Sequence, residues 1–286
     1  MTDMRAAYLA RPIGVYDSGV GGLSVLLPLR ELLPNVEVIY AADQAWCPYG
    51  PRSAEVIRER AFAVTDVLVK RGSGAIVVAC NAASTAALGA LRTRYPEVPF
   101  IGMEPAVKPA AAQTQTGHVG VLATVATAQG ERLARLIDRF GRGVTVHVHV
   151  PEGLVELVEA GAGESDASAA LLAPVLHQWM EAGVDTVVLG CTHYPFARKT
   201  IERLLGNRAE VIDPGPAVAR QTARVLAHRA QRVAMHVVTS QARTVFLTSG
   251  DPHALRSAIR RLAGGRMAED ATFDTFHSDA THLRSA

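Results

Sequence analysis

Short runs of apolar, β-branched residues alternate along the chain with longer stretches in which hydrophobic residues recur at helical spacing. The short runs have the length of buried strands, and the longer stretches have that of amphipathic helices. The predicted strands are 13–16, 36–41, 75–79, 119–122, 144–150, 186–189 and 244–247. The predicted helices include 54–70, 129–140, 167–182 and 216–228. Strands separated by helices indicate βαβ units, so we predict an α/β protein with mostly parallel sheets flanked by helices.

Two halves of the chain repeat one pattern. Residues 13–17 (IGVYD) and 119–123 (VGVLA) each form an apolar strand that runs into a loop. Later in each half a second strand ends in a cysteine, Cys80 after AIVVA and Cys191 after TVVLG. If the halves are duplicates, the two cysteines can face each other across a cleft between two domains. The pattern also fits one continuous sheet with the cysteines far apart, and the sequence leaves both arrangements open.

The composition is that of a globular protein with a substantial core. The 286 residues exceed the usual length of one domain, and 49% of them are hydrophobic. A formal net charge of +2 argues against a surface that neutralises many phosphates. No stretch approaches the roughly 18 apolar residues of a membrane span, and the start of the chain lacks the features of a secretory signal. We therefore expect no nucleic-acid partner and no membrane.

The chain has three cysteines, Cys47, Cys80 and Cys191, a number that cannot form a closed disulfide framework, and they lie far apart in sequence. The expected location is the reducing cytoplasm, where thiols are kept for packing or chemistry. The segment 231–235 lacks a regular pattern, and we expect about the last ten residues to be disordered.

The two cysteines at strand ends are the strongest candidates for chemistry. Cys80 is followed by NAAS and Cys191 by THYP, so small or hydroxyl-bearing residues come after each thiol. A lone cysteine is usually a small buried hydrophobe, but two in matching settings indicate a shared role. N–H groups of a following helix would increase the thiolate fraction. Two equivalent thiols on opposite faces of a planar intermediate suit racemisation of an α-carbon, because one removes the proton while the other delivers one.

The segment DSGVGG at 17–22 follows the first strand. Its glycines allow close approach of the backbone, and a helix beginning near Leu23 offers N–H groups to the carboxylate of a ligand. Asp17 is suited to act on a thiol or on an ammonium group, or alternatively to hold a turn or cap a helix. The spacing GxGxxG of dinucleotide-binding loops is absent.

Several loop residues complete the candidate set. Tyr49 offers a hydroxyl group in the turn PYG, and we interpret the neighbouring thiol of Cys47 as non-catalytic. His193 lies two residues after a candidate thiol, so it can tune that thiol or share in proton transfer. Thr124 and Thr127 follow a strand and are either helix caps or ligands of a carboxylate.

The sequence gives no support for a metal or an organic cofactor. It contains neither CxxC nor HExxH, and Cys191 with His193 alone supplies too few ligands for zinc. A pyridoxal-phosphate enzyme would need a lysine at its cofactor site. The only lysines are Lys70, Lys108 and Lys199, which lie on helical stretches, at their ends or beside proline. We therefore expect an enzyme without cofactor or metal.

The motifs IGVYDSGVGG, PYG, VVACNAAS, LGCTHYP and FLTSGDP, in this order, resemble bacterial glutamate racemase from about residue 12 to residue 262. The resemblance implies two α/β domains in pseudo-twofold arrangement with the active site in the cleft between them. We assign residues 1–106 with 215–286 to the first domain and 107–214 to the second. The implied activity is cofactor-independent interconversion of L- and D-glutamate, which supplies D-glutamate for peptidoglycan and so for cell-wall biogenesis and cell shape. A homodimer is left open.

The resemblance also implies roles for individual residues. It makes Cys80 and Cys191 the two bases, assisted by Asp17 and His193. The predicted substrate contacts, which include Thr124 from its strand-end position, are Asp17, Ser18, Tyr49, Gly50, Asn81, Ala82, Thr124, Thr192 and His193. Asp43 and Glu159 match acidic positions near the family's site and are possible helpers.

One residue departs from the family pattern. Ala82 stands where the family has threonine or serine after the Cys-Asn pair. A hydrogen bond to a charged group is worth roughly 1.5–3 kcal/mol. We therefore predict weaker glutamate binding, or compensation by a neighbour such as Ser84.

Two alternatives differ in function. A related racemase would act on aspartate, hydantoins or malonates, and it should lack the full DSGVGG and GCTHYP context. A binding protein would keep the fold without the chemistry, since some members of the family that the chain resembles are linked to inhibition of DNA gyrase. Near-neutral charge and two intact cysteines argue against a purely regulatory role.

Overall fold

The computed structural model describes residues 11–230 and 242–276. Its strands are β1 Ile13–Asp17, β2 Val38–Ala42, β3 Ala75–Val78, β4 Phe100–Gly102, β5 His118–Ala123, β6 Thr145–His149, β7 Thr186–Gly190, β8 Glu210–Ile212, β9 Thr244–Thr248 and β10 Thr272–Thr275. Its α-helices are α1 Leu23–Leu32, α2 Ala54–Lys70, α3 Asn81–Arg94, α4 Val107–Gln113, α5 Val125–Ala128, α6 Glu131–Phe140, α7 Leu154–Glu159, α8 Asp166–Glu181, α9 Arg198–Leu205, α10 Gly215–Ala230, α11 Pro252–Ala263 and α12 Gly265–Glu269. The segment 231–235 and the last ten residues lie outside the described residues.

The strands form two separate sheets in which every pair is parallel. The first sheet has the order β10-β9-β2-β1-β3-β4, and the second has the order β6-β5-β7-β8. The first four strands of each half therefore follow the same order, with the first strand of the half between its second and third. The predicted fold class of two α/β units with parallel sheets is confirmed, and the alternative of one continuous sheet is wrong.

Apolar residues cover both faces of each sheet. The first sheet lies between a cluster that contains Val15 and Leu26 and another that contains Ile76 and Leu88. Two further clusters enclose the second sheet in the same way. Strands buried on both faces carry near-continuous apolar runs rather than alternating patterns, which explains why the central strands were visible in the sequence.

All seven predicted strands and the four predicted helices are present, with ends shifted by at most two residues. The strands β4, β8 and β10 escaped prediction because they are only three or four residues long, and β10 is also mostly polar and exposed. The predicted domain boundaries at 106/107 and 214/215 fall in the connections between the two sheets and stay predictions. In the described part of the chain, no helix combines the length and apolarity needed to cross a membrane.

Candidate active site

Cys80 and Cys191 lie at the carboxyl ends of equivalent strands, one in each sheet. Cys80 follows β3 and Cys191 follows β7, and 5% and 6% of their surfaces are exposed. Both thiols line one cavity of about 10 Å³. The other lining residues are Ser18, Pro48, Tyr49, Gly50, Asn81, Ala82, Thr124, Val155, Thr192 and His193. Every residue predicted to contact substrate, except Asp17, therefore borders the cavity that the two thiols share.

The Cys80 thiol is enclosed by the first domain. It lies 3.9 Å from the Ser18 hydroxyl group, to which it donates, and its residue occupies the N-cap position of α3. Burial raises the pKa of Cys80, and the negative charge of Asp17 raises it further. The N–H group of Ala83 acts in the opposite direction without offsetting burial. The backbone of α3 thus lowers the pKa of Cys80, as expected from the sequence, but burial raises it more. Cys80 is therefore a protonated thiol in the closed cavity.

Asp17 ends β1 and is completely buried. Its Oδ2 accepts a hydrogen bond from the Gly22 N–H group at 2.7 Å, which gives Asp17 the turn-holding role considered from the sequence. Its Oδ1 has no hydrogen-bond partner among the described residues. Burial raises the pKa of Asp17, and the charge of His193 and the bond from Gly22 counteract this only in part. One carboxylate oxygen therefore remains available for an ammonium group or a proton.

His193 connects the Cys191 thiol with Glu159. Its Nδ1 lies 3.8 Å from Cys191 Sγ, and its Nε2 lies 2.7 Å from Glu159 Oε1. Burial alone would lower the pKa of His193, but hydrogen bonds to two thiols and to Glu159 hold it well above its usual range. Burial likewise disfavours the ionised form of Glu159, yet its bond with His193 lowers the pKa of that carboxyl. The Cys191 thiol thus lies beside an imidazole that Glu159 orients from its other nitrogen.

The glycines of the segment 17–22 pack against this histidine and carboxylate from the other domain. A Cβ atom on Gly21 would lie 2.4 Å from His193 Nδ1, and one on Gly19 would lie 2.0 Å from Glu159 Oε1. The N–H group of Val20 donates to Glu159 Oε1 at 2.8 Å. The expectation that the helix beginning at Leu23 offers free N–H groups to a ligand carboxylate is wrong, because those of Leu23 and Ser24 donate to the carbonyls of Val20 and Gly21 at 3.1 and 3.0 Å.

Asp43 lies in an outer layer behind Tyr49. Its carboxylate forms two hydrogen bonds of 2.8 Å with the Arg60 guanidinium group, and both side chains are buried. The Tyr49 hydroxyl group donates to Asp43 Oδ2 at 2.5 Å and accepts from Tyr16 at 3.0 Å. Asp43 thus fixes the position of the PYG loop.

Gly50 and Thr124 meet where the two domains face each other. A Cβ atom on Gly50 would lie 3.1 Å from Thr124 Cβ, and the Gly50 carbonyl accepts a hydrogen bond from Ala126 at 3.0 Å. Thr124 stands at the N-cap position of α5 without a side-chain capping bond. Its hydroxyl group instead donates to that of Thr127 at 3.2 Å. The alternative that these hydroxyl groups cap a helix is therefore wrong.

Ala82 borders the cavity, and Ser84 cannot replace the hydroxyl group that position 82 lacks. The Ser84 hydroxyl group donates to the Val78 carbonyl at 3.0 Å and accepts from the Met103 N–H group at 2.9 Å. Both bonds are buried and lie on the side of α3 that faces its own sheet. Compensation by Ser84 is thus a wrong prediction, because its hydrogen-bonding capacity is used inside the domain.

Three buried polar atoms lack partners among the described residues and belong either to a cavity-lining residue or to the residue that precedes the cavity-lining Ser18. They are Asp17 Oδ1 and both amide atoms of Asn81, whose residue is 2% exposed. An unsatisfied buried polar group costs about 1–3 kcal/mol. Such atoms next to two thiols indicate where a polar ligand binds.

A second cavity of about 270 Å³ adjoins the first. The two share the lining residues Pro48, Gly50, Thr124 and Val155. The smaller cavity has room for about one water molecule, so a ligand of amino-acid size needs the shared wall to move.

Sequence reasoning missed Arg60 and underestimated Cys47. Arg60 lies one turn after the buried Ile57 on the inner face of α2, a position that could have indicated a buried cation. Cys47 Sγ lies 3.6 Å from Glu159 Oε1. Nothing in the sequence indicated this contact, because the two residues are 112 positions apart.

Comparison with known proteins agrees with this architecture. The Asp/Glu/Hydantoin racemase family model matches residues 27–222. The glutamate racemase of Ectopseudomonas mendocina is 46% identical over 88% of this chain and 95% of its own length. That of Pseudomonas paraeruginosa is 52% identical over 77% of this chain and 83% of its own length. The Escherichia coli glutamate racemase structure with L-glutamate and the activator UDP-MurNAc-ala has a TM-score of 0.80 and 35% identity, covering 94% of this chain and 99% of that one. The chain therefore belongs to the Asp/Glu/hydantoin racemase family and, within it, to the glutamate racemases.

Proposed function

We propose that the enzyme racemises glutamate by moving the α-proton between the thiols of Cys80 and Cys191, without a cofactor. The observation that carries the proposal is that both thiols line one cavity, each from the end of an equivalent strand of its own sheet. One sulfur removes the proton from one face of the α-carbon, and the other delivers a proton to the opposite face. In the reverse direction the two exchange roles.

The Cys80 side works through Asp17. The substrate ammonium group binds at the open Oδ1 of Asp17 and brings a positive charge close to Cys80. That charge counteracts burial and the charge of Asp17, which together raise the pKa of the thiol. Substrate binding therefore favours the thiolate form when it is needed, and Ser18 holds the sulfur in place.

The Cys191 side works through His193. Its Nδ1 faces the sulfur, and Glu159 holds the opposite nitrogen, so the imidazole has a fixed orientation. Nδ1 donates a hydrogen bond to the Cys191 sulfur while that sulfur carries the negative charge, which is before it removes the α-proton and after it delivers one. The two thiols are therefore activated by different groups.

The residues around the cavity bind the rest of the substrate. Helix α3 begins at Asn81, so the first-turn N–H groups of Asn81 and Ala82 lack intrahelical acceptors and suit a carboxylate. The Asn81 amide offers two further polar atoms. The remaining proposed contacts, arranged around the same cavity, are those of Ser18, Tyr49, Gly50, Thr124, Thr192 and His193. Donors aimed at the α-carboxylate also stabilise the negative charge that develops on proton removal.

The product, D-glutamate, is proposed to supply peptidoglycan, on the basis of family membership. The three cysteines are free thiols, which suits a reducing compartment such as the cytoplasm. A homodimer stays a prediction that a sedimentation measurement can test. Racemisation of aspartate is not favoured, because the similar proteins described above are glutamate racemases.

Circular dichroism of L- and D-glutamate, incubated with wild type, Cys80→Ala and Cys191→Ala, tests the proposal. Removing either acid–base group should slow racemisation by about 10²–10⁴-fold. Cys47→Ala is the comparison with the third thiol. Because this thiol lies outside the shared cavity and contacts the Glu159 side chain, its loss should slow racemisation much less than the loss of either cavity thiol. Wild-type rates in either of the first two variants would refute the two-thiol mechanism. Faster turnover of aspartate than of glutamate by the wild type would refute the assigned substrate.

A further inference from the structure

A third thiol stands next to the Cys191 side of the site. The Sγ of Cys47, a carboxylate oxygen of Glu159 and a ring nitrogen of His193 all lie within 4.8 Å of one another. Cys47 Sγ is 3.6 Å from Glu159 Oε1, which is 2.7 Å from His193 Nε2. Cys47 comes from the loop after β2, Glu159 from the end of α7, and His193 from the loop after β7. The fold thus assembles a sulfur, an oxygen and a nitrogen donor that the sequence keeps far apart.

We propose that Cys47, Glu159 and His193 form a binding site for a zinc ion, and that zinc bound there inhibits the enzyme reversibly. Zinc takes about 2.3 Å bonds to sulfur and about 2.0–2.2 Å bonds to nitrogen and oxygen. Tetrahedral angles then separate sulfur and oxygen by about 3.6 Å, and nitrogen and oxygen by about 3.4 Å. The first distance already exists in the structure. The second requires the imidazole and the carboxylate, now 2.7 Å apart, to separate by less than about 1 Å.

The surroundings of the cluster also fit a metal site. The Glu159 side chain is 22% exposed and Cys47 is half-buried, so an ion can enter from solvent. Gly19 leaves the necessary room, because a Cβ atom there would lie 2.9 Å from Cys47 Sγ. The N–H group of Val20 orients the carboxylate at 2.8 Å. Three protein ligands leave a fourth position for water.

Binding at this cluster would change the catalytic thiol through His193. Zinc on Nε2 replaces the hydrogen bond from that nitrogen to Glu159. The metal then holds the ring in one orientation, so the other ring nitrogen, 3.8 Å from Cys191 Sγ, can no longer adjust to the sulfur during proton transfer. The Cys47 thiol binds as the thiolate and His193 binds as the neutral imidazole, so each of the two residues releases one proton to solvent. Metal binding stands independently of the proposed function, whereas inhibition rests on the role of His193 in it.

The experiment separates this site from the catalytic thiols, which can also bind zinc. Isothermal titration with zinc is carried out on a Cys80→Ser, Cys191→Ser double variant, with and without Cys47→Ala. Cobalt titration followed by thiolate-to-cobalt charge-transfer absorption reports directly on sulfur ligation. We expect one ion per chain and the absorption band in the double variant. Cys47→Ala should remove the absorption band and weaken zinc binding by at least about 10-fold. This is a lower bound, because even the loss of a residue that only orients a metal ligand weakens metal binding by about that much.

Racemisation of the wild type and of Cys47→Ala, with chelator and with zinc, completes the test. The rate of each protein with zinc is compared with its own rate in chelator, so that any effect of the substitution on the fold or the chemistry is separated from the effect of zinc. Zinc should inhibit the wild type at a concentration at least about 10-fold lower than it inhibits Cys47→Ala. A double variant that binds no zinc, or binds it equally well without Cys47, overturns the site. Zinc that binds at Cys47 without slowing the wild type overturns the inhibition and leaves the proposed function standing.

Discussion

Substitution of Gly21 by alanine tests how closely the glycine-rich segment packs against the histidine of the other domain. An ideal Cβ atom would lie 2.4 Å from Nδ1, 2.6 Å from Cε1 and 2.8 Å from Cγ of His193. The ring is 3% exposed and bound to Glu159 at 2.7 Å, so it cannot move without breaking that bond. Gly21 does not have a positive φ, so the methyl group acts by contact and not by backbone strain.

Overpacking of this kind typically costs about 1–3 kcal/mol. If the protein relaxes by moving His193 away from Cys191, the loss falls on the transition state, and kcat drops by roughly 5- to 150-fold. The assay is racemisation in both directions by circular dichroism, with urea unfolding on the same samples.

Gly89→Ala is the matched control for this substitution. Gly89 is exposed within α3, and a Cβ atom there meets nothing within 4 Å. This change should leave kcat unaltered and raise the free energy of unfolding by about 0.4–1 kcal/mol. Wild-type kcat and stability in Gly21→Ala would refute the close packing on which the argument depends.

Three further substitutions address the remaining parts of the site. Arg60→Leu leaves Asp43 as an uncompensated buried charge and should lower the free energy of unfolding by about 3–5 kcal/mol in urea titrations. The control Arg135→Ala, at an exposed i,i+4 pair, should lower it by no more than about 0.5 kcal/mol. Equal losses in the two variants would contradict the importance of the buried pair. Asp17→Asn should raise the melting temperature near pH 7 while lowering kcat. Folding raises the pKa of the Asp17 carboxyl, so the folded protein loses stability as the pH rises from the unfolded pKa of this group through its folded pKa, and the amide removes that loss. A lower melting temperature in the variant would contradict this reasoning. Ala82→Thr should lower KM for glutamate by about 10- to 150-fold, because the new hydroxyl group can form a hydrogen bond with the charged substrate. An unchanged KM would contradict the prediction that Ala82 weakens glutamate binding.

The sequence predicted the central strands and the cysteines at their ends, because strands buried on both faces carry long apolar runs. The helix 54–70 was predicted to the residue, since Ser53 caps its first turn and charged residues flank its apolar face. The edge strand β8 was not predicted, because it has only three residues, and a glutamate precedes its two apolar residues.

The contacts between the domains were beyond sequence reasoning. Glu159 and His193 are 34 positions apart, and their bond depends on how α7 packs against the loop after β7. The glycines at 19 and 21 were recognised as positions of close approach, but their partners were taken to be a ligand instead of side chains of the second domain. Local propensity decides where an element forms, whereas the packing of two sheets decides which side chains meet.

The central claim is that the sulfurs of Cys80 and Cys191 approach one bound molecule from opposite sides. The most direct measurement is a crystal structure of this enzyme with D-glutamate. We predict that both Sγ atoms lie about 3.5 Å from the α-carbon, one on each face of it. Two sulfurs on the same face, or a glutamate molecule that only one of them reaches, would contradict the two-thiol mechanism.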